Sequence, residues 1–96
     1  MAVKEYQLSA PIEAHGETLT VLSLSQPTNR QVQEIGMLPY RVSDDGTPQP
    51  LPQWCARYIA KSASIPPSSV DQIALHDFNE LCWAMVGFFM KPESKP

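Results

Sequence analysis

The most constraining feature of this sequence is an apolar segment near the C-terminus, ELCWAMVGFFM at residues 80–90. A helix turns by about 100° per residue, so a helix through this segment carries apolar side chains around most of its circumference. Such a helix is buried on most of its circumference. Because the chain has only 96 residues, little other material is left to cover it.

The N-terminal part of the chain predicts a β-hairpin over residues 5–25. Its first half alternates, with Tyr6, Leu8, Ala10 and Ile12 on one face. The pair His15-Gly16 is typical of a two-residue hairpin turn, in which glycine supplies the positive φ. The returning segment ETLTVLSLS is rich in residues that favour strands, and its shift of face indicates a bulge or a strand covered on both faces.

The remainder of the chain predicts short helices. Thr28 or Asn29 caps a helix that ends near Met37, and residues 53–64 and about 75–90 form two longer helices. A short helical turn precedes the last helix. Residues 41–52 contain three prolines and Asp44-Asp45-Gly46, so a mobile loop without regular structure is expected there. The predicted class is α+β, with an N-terminal hairpin packed against three to four short helices in one domain over residues 1–90, followed by a disordered tail at 91–96.

Two apolar stripes run along the last predicted helix. The first is expected to be the core face that packs on the hairpin, and it contains Phe78, Leu81, Cys82, Met85, Phe88 and Phe89. The second contains Trp83, Val86 and Met90, which leaves Asn79, Glu80 and Gly87 to face water.

The second stripe predicts a partner-binding surface. Tryptophan and methionine are typical anchors of protein interfaces. Trp83, Val86 and Met90 are therefore expected to meet another chain, and Trp54 and Tyr58 of the preceding helix are candidates to extend that surface. The alternative is that the domain wraps the last helix by itself and that this stripe belongs to the core.

The charge composition excludes some functions. Charged residues make up 18% of the chain and the net charge is −3. A low-charge surface leaves apolar area for a partner, and an acidic balance disfavours nucleic acid. The apolar stretch from Leu81 to Met90 is too short to span a bilayer, and the N-terminus lacks the apolar run of a signal peptide. We expect neither nucleic acid nor a membrane as a partner, and a cytosolic location.

No catalytic, cofactor or metal site is predicted. Cys55 and Cys82 each lie in an apolar helical pattern, which is typical of buried free cysteine, with a disulfide as the alternative. A thiol enzyme needs a histidine beside its cysteine, whereas His76 and Cys82 lie on different sides of one helix. Two isolated cysteines and two isolated histidines lack the paired spacing of a zinc site.

Three segments resemble a known family when they are taken in order. They are PIEAHGETLTVLSLSQPTNRQV, SASIPPSSVDQI and LHDFNELCWAMVGFF. Together they resemble the tail assembly chaperones (tail protein E) of contractile-tailed, Mu-like phages and prophages, over about residues 6–89. The chain departs from that pattern at Ser25-Gln26, where basic residues are usual, and at Ala74-Leu75, where a capping residue is usual.

The resemblance implies a non-enzymatic role in the host bacterial cytoplasm. Such proteins bind the long, largely helical tape measure protein, keep it soluble and help the tail tube polymerise around it. The resemblance supplies no binding residues, so the predicted site rests on the apolar stripe. Many weak contacts along one partner multiply into avidity, so we expect a homo-oligomer or several copies on each partner.

Three alternatives from other classes remain open at this point. The first is a small self-associating structural or adaptor component of the tail. The second is a thiol-dependent enzyme that uses Cys55 or Cys82. The third is a small helical regulator of transcription, which the acidic balance disfavours.

Overall fold

A computed structural model describes residues 3–90 of the chain as a mixed α+β fold. Its elements, in order, are β1 (Val3–Ala14), β2 (Glu17–Ser25), α1 (Asn29–Ile35), β3 (Tyr40–Val42), β4 (Pro48–Pro50), α2 (Pro52–Ala63), α3 (Pro67–Val70) and α4 (Leu75–Phe89). The predicted α+β class with an N-terminal hairpin is confirmed. The tail predicted at 91–96 lies outside the described residues.

The hairpin β1–β2 forms as the sequence predicts. His15 and Gly16 both have positive φ, at 55° and 75°, as a two-residue turn between twisted strands requires. The pairing runs from Ala14 opposite Glu17 to Val3 opposite Ser25. The register does shift within the hairpin, where Gln7 pairs with Val21 but Ile12 pairs with Leu19. The extra residues lie in β1, whereas the bulge was expected in the returning strand. Ala10, which lies within this shift, is exposed, whereas Leu8 and Ile12, with which it was predicted to share a face, are buried.

Helix α1 is capped at both ends. Thr28 Oγ1 accepts a hydrogen bond from the Gln31 amide at 3.1 Å, and Gln31 Oε1 accepts one from the Thr28 amide at 3.1 Å. This reciprocal pair is a capping box. Gly36 ends the helix in the left-handed conformation, with φ 82°, and its amide donates to the Val32 carbonyl.

The prediction of a loop without regular structure at residues 41–52 is wrong. Most of this segment belongs to a small antiparallel hairpin, β3–β4. Pro48 pairs with Val42 and Pro50 pairs with Tyr40, while Gln49 lies between them opposite Arg41. In an antiparallel pair, the amides of alternate residues point away from the partner strand. Pro48 and Pro50 are two residues apart, so both can occupy positions where the pairing needs no amide donor. The turn is closed by Asp45, whose side chain accepts hydrogen bonds from Ser43 and Thr47, and these bonds lower its pKa to about 2.

The core forms where α2 packs against both β2 and α4. Its members come from the hairpin, α2, the α3 region and α4, and they include Leu8, Ile12, Leu22, Leu24, Tyr58, Ile59, Leu81 and Met85. The core face of α4 was expected to pack chiefly on the hairpin, but its main neighbour is α2. Leu81, Cys82 and Met85 of the predicted core face are buried, and its three phenylalanines are partly buried against the core.

Candidate functional site

The predicted partner-binding residues differ in how much of their side chains the fold leaves exposed. Trp83 is 48% exposed and Met90 is 37% exposed, so both are accessible on the monomer. Val86 is only 2% exposed and Tyr58 only 1% exposed. The expectation that these two residues line an open surface is corrected, because both are part of the packed interior. Val86 lies at the boundary of the second stripe, where the neighbouring elements still cover the helix.

Trp54, the fifth predicted site residue, is half-buried on α2. The guanidinium of Arg57 lies 5.1 Å from the centre of its ring, which is a favourable cation–π distance. Trp54 does not line the groove beside Trp83 that is described next. The structure therefore separates Trp54 from the groove, although both tryptophans remain accessible.

An apolar groove lies between the start of α2 and the outer side of α4. Its volume is about 420 Å³, and it is lined by Pro50, Pro52, Leu75, Phe78, Asn79, Cys82 and Trp83. A second cavity of about 230 Å³ shares Leu75 and Phe78 with it and continues towards Val70 and Ile73. We call the surface formed by Leu75, Phe78 and Trp83 with the flanking prolines Pro50 and Pro52 the Leu75–Trp83 surface.

Of the residues of this surface, the sequence predicted only Trp83 as a binding residue; Phe78 was assigned to the core, the two prolines to a loop, and Leu75 was not singled out. Leu75 is 83% exposed, more than any other large apolar side chain in the described part of the chain. It is the first residue of α4, after Ala74, which provides no side-chain cap. The apolar pattern of the helix does not distinguish this leucine from a buried one.

Asp77 fixes the position of α4 relative to β1. It is 1% exposed, although it lies only one turn from the exposed start of the helix. Its Oδ2 accepts hydrogen bonds from the Ser9 amide at 2.8 Å and from Ser9 Oγ at 2.9 Å, and its Oδ1 accepts one from the Tyr6 hydroxyl at 3.1 Å. The Tyr6 oxygen also lies 3.0 Å from Glu80 Oε1. Asp77 thus joins the two elements through a charge-assisted network.

The network shifts the pKa of its members. Desolvation acts to raise the pKa of Asp77, but the hydrogen bonds from Ser9 and Tyr6 outweigh it, and the pKa lies below its ordinary value. The pKa of Tyr6 is raised, by desolvation first and then by its hydrogen bonds to Glu80 and Asp77. Both shifts favour the arrangement of an ionised carboxylate with a protonated phenol.

The two cysteines are free and buried at the contact between α2 and α4. Cys55 Sγ donates to the Pro39 carbonyl at 3.3 Å and lies 3.9 Å from the carbonyl oxygen of Cys82. The pKa of the Cys82 thiol is raised by its hydrogen bond with Cys55 and by burial. His15 contacts the carbonyl of Ser64, and His76 lies beside Glu80 at 3.5 Å. Neither histidine is placed to activate a thiol, so this arrangement does not favour the thiol-enzyme alternative.

Two kinds of feature are absent from residues 3–90. No cluster of three or more histidine, cysteine or acidic side chains is placed to hold a metal ion. No helix formed by these residues has the length and apolar character needed to cross a membrane.

Comparison with known proteins identifies one family. The family described as "Phage tail assembly chaperone proteins, E, or 41 or 14" matches residues 5–90, which is nearly the whole chain. No curated protein and no solved structure matches.

Proposed function

The chain belongs to the phage tail assembly chaperone family, and we propose that it binds a tape measure protein without catalysis, keeps it soluble and promotes tail tube assembly. The proposed location is the cytoplasm of the host bacterium. The observation that carries the proposal is the Leu75–Trp83 surface, an apolar groove that the monomer leaves open.

The dimensions of this surface suit a helical client. Leu75 and Trp83 are separated by eight residues of one helix, which corresponds to about 12 Å along its axis. An amphipathic helix laid in a groove presents apolar residues at positions i, i+3, i+4 and i+7, which span a similar length. The walls of the groove are apolar on both sides, with Pro50 and Pro52 on one and Phe78 on the other.

The chemistry of the surface suits a holdase. A protein that keeps a long apolar helix soluble has to cover that helix and to remain soluble itself. Trp83 is half exposed beside Asn79 and Glu80, so the apolar groove has a polar rim. Each contact of this size is weak, and several copies along one client give avidity. We therefore propose that several copies, or a homo-oligomer, act on each tape measure chain.

Co-expression with the tape measure protein of the same phage or prophage tests the proposal. The wild-type chain is expected to keep the client soluble and to be recovered with it in a complex whose mass gives the number of copies. Trp83→Glu and Leu75→Glu place a charge in the groove and are expected to leave the client insoluble. Met37→Glu is the matched control, because Met37 is 43% exposed and lies outside the groove.

The outcomes of this experiment distinguish client binding at the Leu75–Trp83 surface from a structural role in the tail. Each variant is first shown to be folded by its circular dichroism and thermal unfolding. If folded Trp83→Glu and Leu75→Glu still solubilise the client as well as Met37→Glu does, the Leu75–Trp83 surface is not the binding site. If the wild-type chain forms no complex but assembles into a discrete oligomer and persists in mature tails, it is a structural component of the tail.

A further inference from the structure

The Leu75–Trp83 surface continues past Leu75 into the second cavity. That cavity has a volume of about 230 Å³ and is lined by Ala56, Val70, Asp71, Ile73, Leu75 and Phe78. Leu75 and Phe78 also line the groove that contains Trp83. Because Leu75 is 83% exposed, it is an accessible apolar side chain at the place where the groove and the second cavity meet.

Asp71 is the charged residue of this combined surface. It lines the second cavity and not the groove, whereas Trp83 lines the groove and not the second cavity, so the residues shared by both lie between them. The side chain of Asp71 is exposed. Within residues 3–90, no lysine or arginine lines the groove or the second cavity, and neither of the two ion pairs includes Asp71. The described part of the chain therefore leaves an unpaired carboxylate beside an apolar surface.

The backbone on both sides of Asp71 is anchored to β1. Ser69 Oγ donates to the Glu13 carbonyl at 2.6 Å, and Gln72 Nε2 donates to the same carbonyl at 3.1 Å. Gln72 Oε1 accepts a hydrogen bond from the Glu13 amide at 2.8 Å. Val70, which precedes Asp71, is buried. Because these contacts already order the segment, a partner that pairs with Asp71 does not have to order its backbone.

We propose that this surface binds an amphipathic helix of the tape measure protein that carries a lysine or arginine beside its apolar stripe, and that Asp71 selects that basic residue. The inference rests on the proposed function and adds the chemistry of the client segment. Two apolar client side chains at positions i and i+3 or i+4 lie about 5–6 Å apart on one face of a helix. One enters the groove and the other enters the second cavity, with Leu75 between them, as a side chain of one packed helix lies among those of its neighbour. The basic residue lies one turn beyond the second cavity side chain, where it meets Asp71.

Charge complementarity favours a basic client segment over an acidic one. The chain has a net charge of −3, so it attracts basic segments at long range. At contact, a client acid beside Asp71 would be repelled, whereas a client base forms an ion pair at the border of an apolar surface. Arg57 follows Ala56 on α2, but its guanidinium lies 5.1 Å from the centre of the Trp54 ring, and it lines neither the groove nor the second cavity.

Overlapping synthetic peptides that cover the tape measure protein of the same phage or prophage test this inference with the full chain. Fluorescence anisotropy of labelled peptides gives the Kd of each. The peptides that bind are expected to carry apolar residues at i and i+3 or i+4, with lysine or arginine one turn beyond. Replacing that basic residue by glutamate is expected to weaken binding to the wild-type chain about threefold to tenfold.

Reversing the charge on the chain provides the matched experiment. Asp71→Lys is expected to weaken binding of the basic peptide and to bind the glutamate peptide more tightly than the wild type does. Asp44→Lys makes the same change of net charge at an exposed residue that lines neither the groove nor the second cavity. It is expected to keep the preference of the wild type for the basic peptide.

Several outcomes overturn the selection of a basic residue by Asp71. It is refuted if the glutamate peptide binds the wild type as tightly as the basic peptide, or if folded Asp71→Lys keeps the wild-type preference. If Asp71→Lys does not fold, Asp71→Asn takes its place, and the same peptide substitution is expected to change its Kd less than that of the wild type. A change in the mass of the chain alone in Asp71→Lys, measured by sedimentation, would show that a second copy occupies the surface instead.

Co-expression keeps this inference separate from the proposed function. If the wild type solubilises the tape measure protein and Trp83→Glu does not, while the peptides show no charge preference, the proposed function stands and the role of Asp71 is refuted. If neither the tape measure protein nor any of its peptides binds the chain, both are refuted.

Discussion

Removing the Asp77 carboxylate is the substitution that most directly tests how this fold is held together. In Asp77→Ala, the Ser9 amide, the Ser9 hydroxyl and the Tyr6 hydroxyl lose their acceptor. A hydrogen bond to a charged group contributes about 1.5–3 kcal/mol, and an unsatisfied buried donor costs about 1–3 kcal/mol. Water reaches some of these donors, because the site lies just below the surface, and Tyr6 can turn fully to Glu80. We therefore expect Asp77→Ala to lower the free energy of unfolding by about 2–4 kcal/mol.

Asp77→Asn separates the charge from the geometry. An amide oxygen in the place of Oδ2 still accepts both bonds from Ser9, and the amide nitrogen can donate to the Tyr6 oxygen while Tyr6 donates to Glu80. The expected loss is about 1 kcal/mol, the difference between charged and neutral hydrogen bonds.

The pH dependence of stability follows from the lowered pKa of Asp77. A carboxyl whose pKa is lower in the folded state stabilises the fold fully above its unfolded pKa of about 3.9. That stabilisation is lost as the pH falls below 3.9 and through the folded pKa. Asp77→Asn has no such titration, so its stability is expected to fall less steeply over the same acidic range.

Thermal and urea unfolding from neutral to acidic pH measure these effects. For a domain of this size, 2–4 kcal/mol corresponds to a decrease in Tm of roughly 10–25 °C. Asp44→Ala is the matched control, because Asp44 is exposed in the β3–β4 turn and is expected to change stability by less than about 0.5 kcal/mol. The reasoning fails if Asp77→Ala behaves like Asp44→Ala, or if Asp77→Asn is as damaging as Asp77→Ala.

Three further predictions concern α1, α4 and the thiols. Thr28→Ala removes the capping box and is expected to cost about 1 kcal/mol in urea unfolding, whereas Thr28→Ser should be nearly neutral. Gly87→Ala is expected to raise the free energy of unfolding by about 0.5–1 kcal/mol, because nothing lies within 4 Å of the added Cβ in the helix; a decrease would show that the outer face of α4 is tighter than described. Cys55 and Cys82 are expected to react slowly with iodoacetamide in the native protein and rapidly in denaturant, and rapid native labelling would contradict their burial.

The elements that the sequence predicted well depend on local chemistry. The turn at His15-Gly16 requires residues that accept positive φ, and the capping of α1 by Thr28 needs only its own first turn. The bounds of α2 and α4 follow from prolines and from the apolar period of about 3.6 residues. The hairpin β3–β4 was missed because prolines usually interrupt strands, and only their spacing of two made this one compatible with a ladder.

The sequence by itself determined which side chains of α4 share a face, because the period of a helix fixes their directions, and it left open whether so small a domain covers them all. Only the tertiary structure decided which of the apolar side chains of α4 are buried by the neighbouring elements. Val86 is buried and Trp83 is half exposed, although both belong to the same stripe. Asp77 is buried and Leu75 is exposed for the same reason, since burial depends on the distance to β1 and α2. A helical pattern specifies the direction of a side chain, and the neighbours that meet it come from distant parts of the chain.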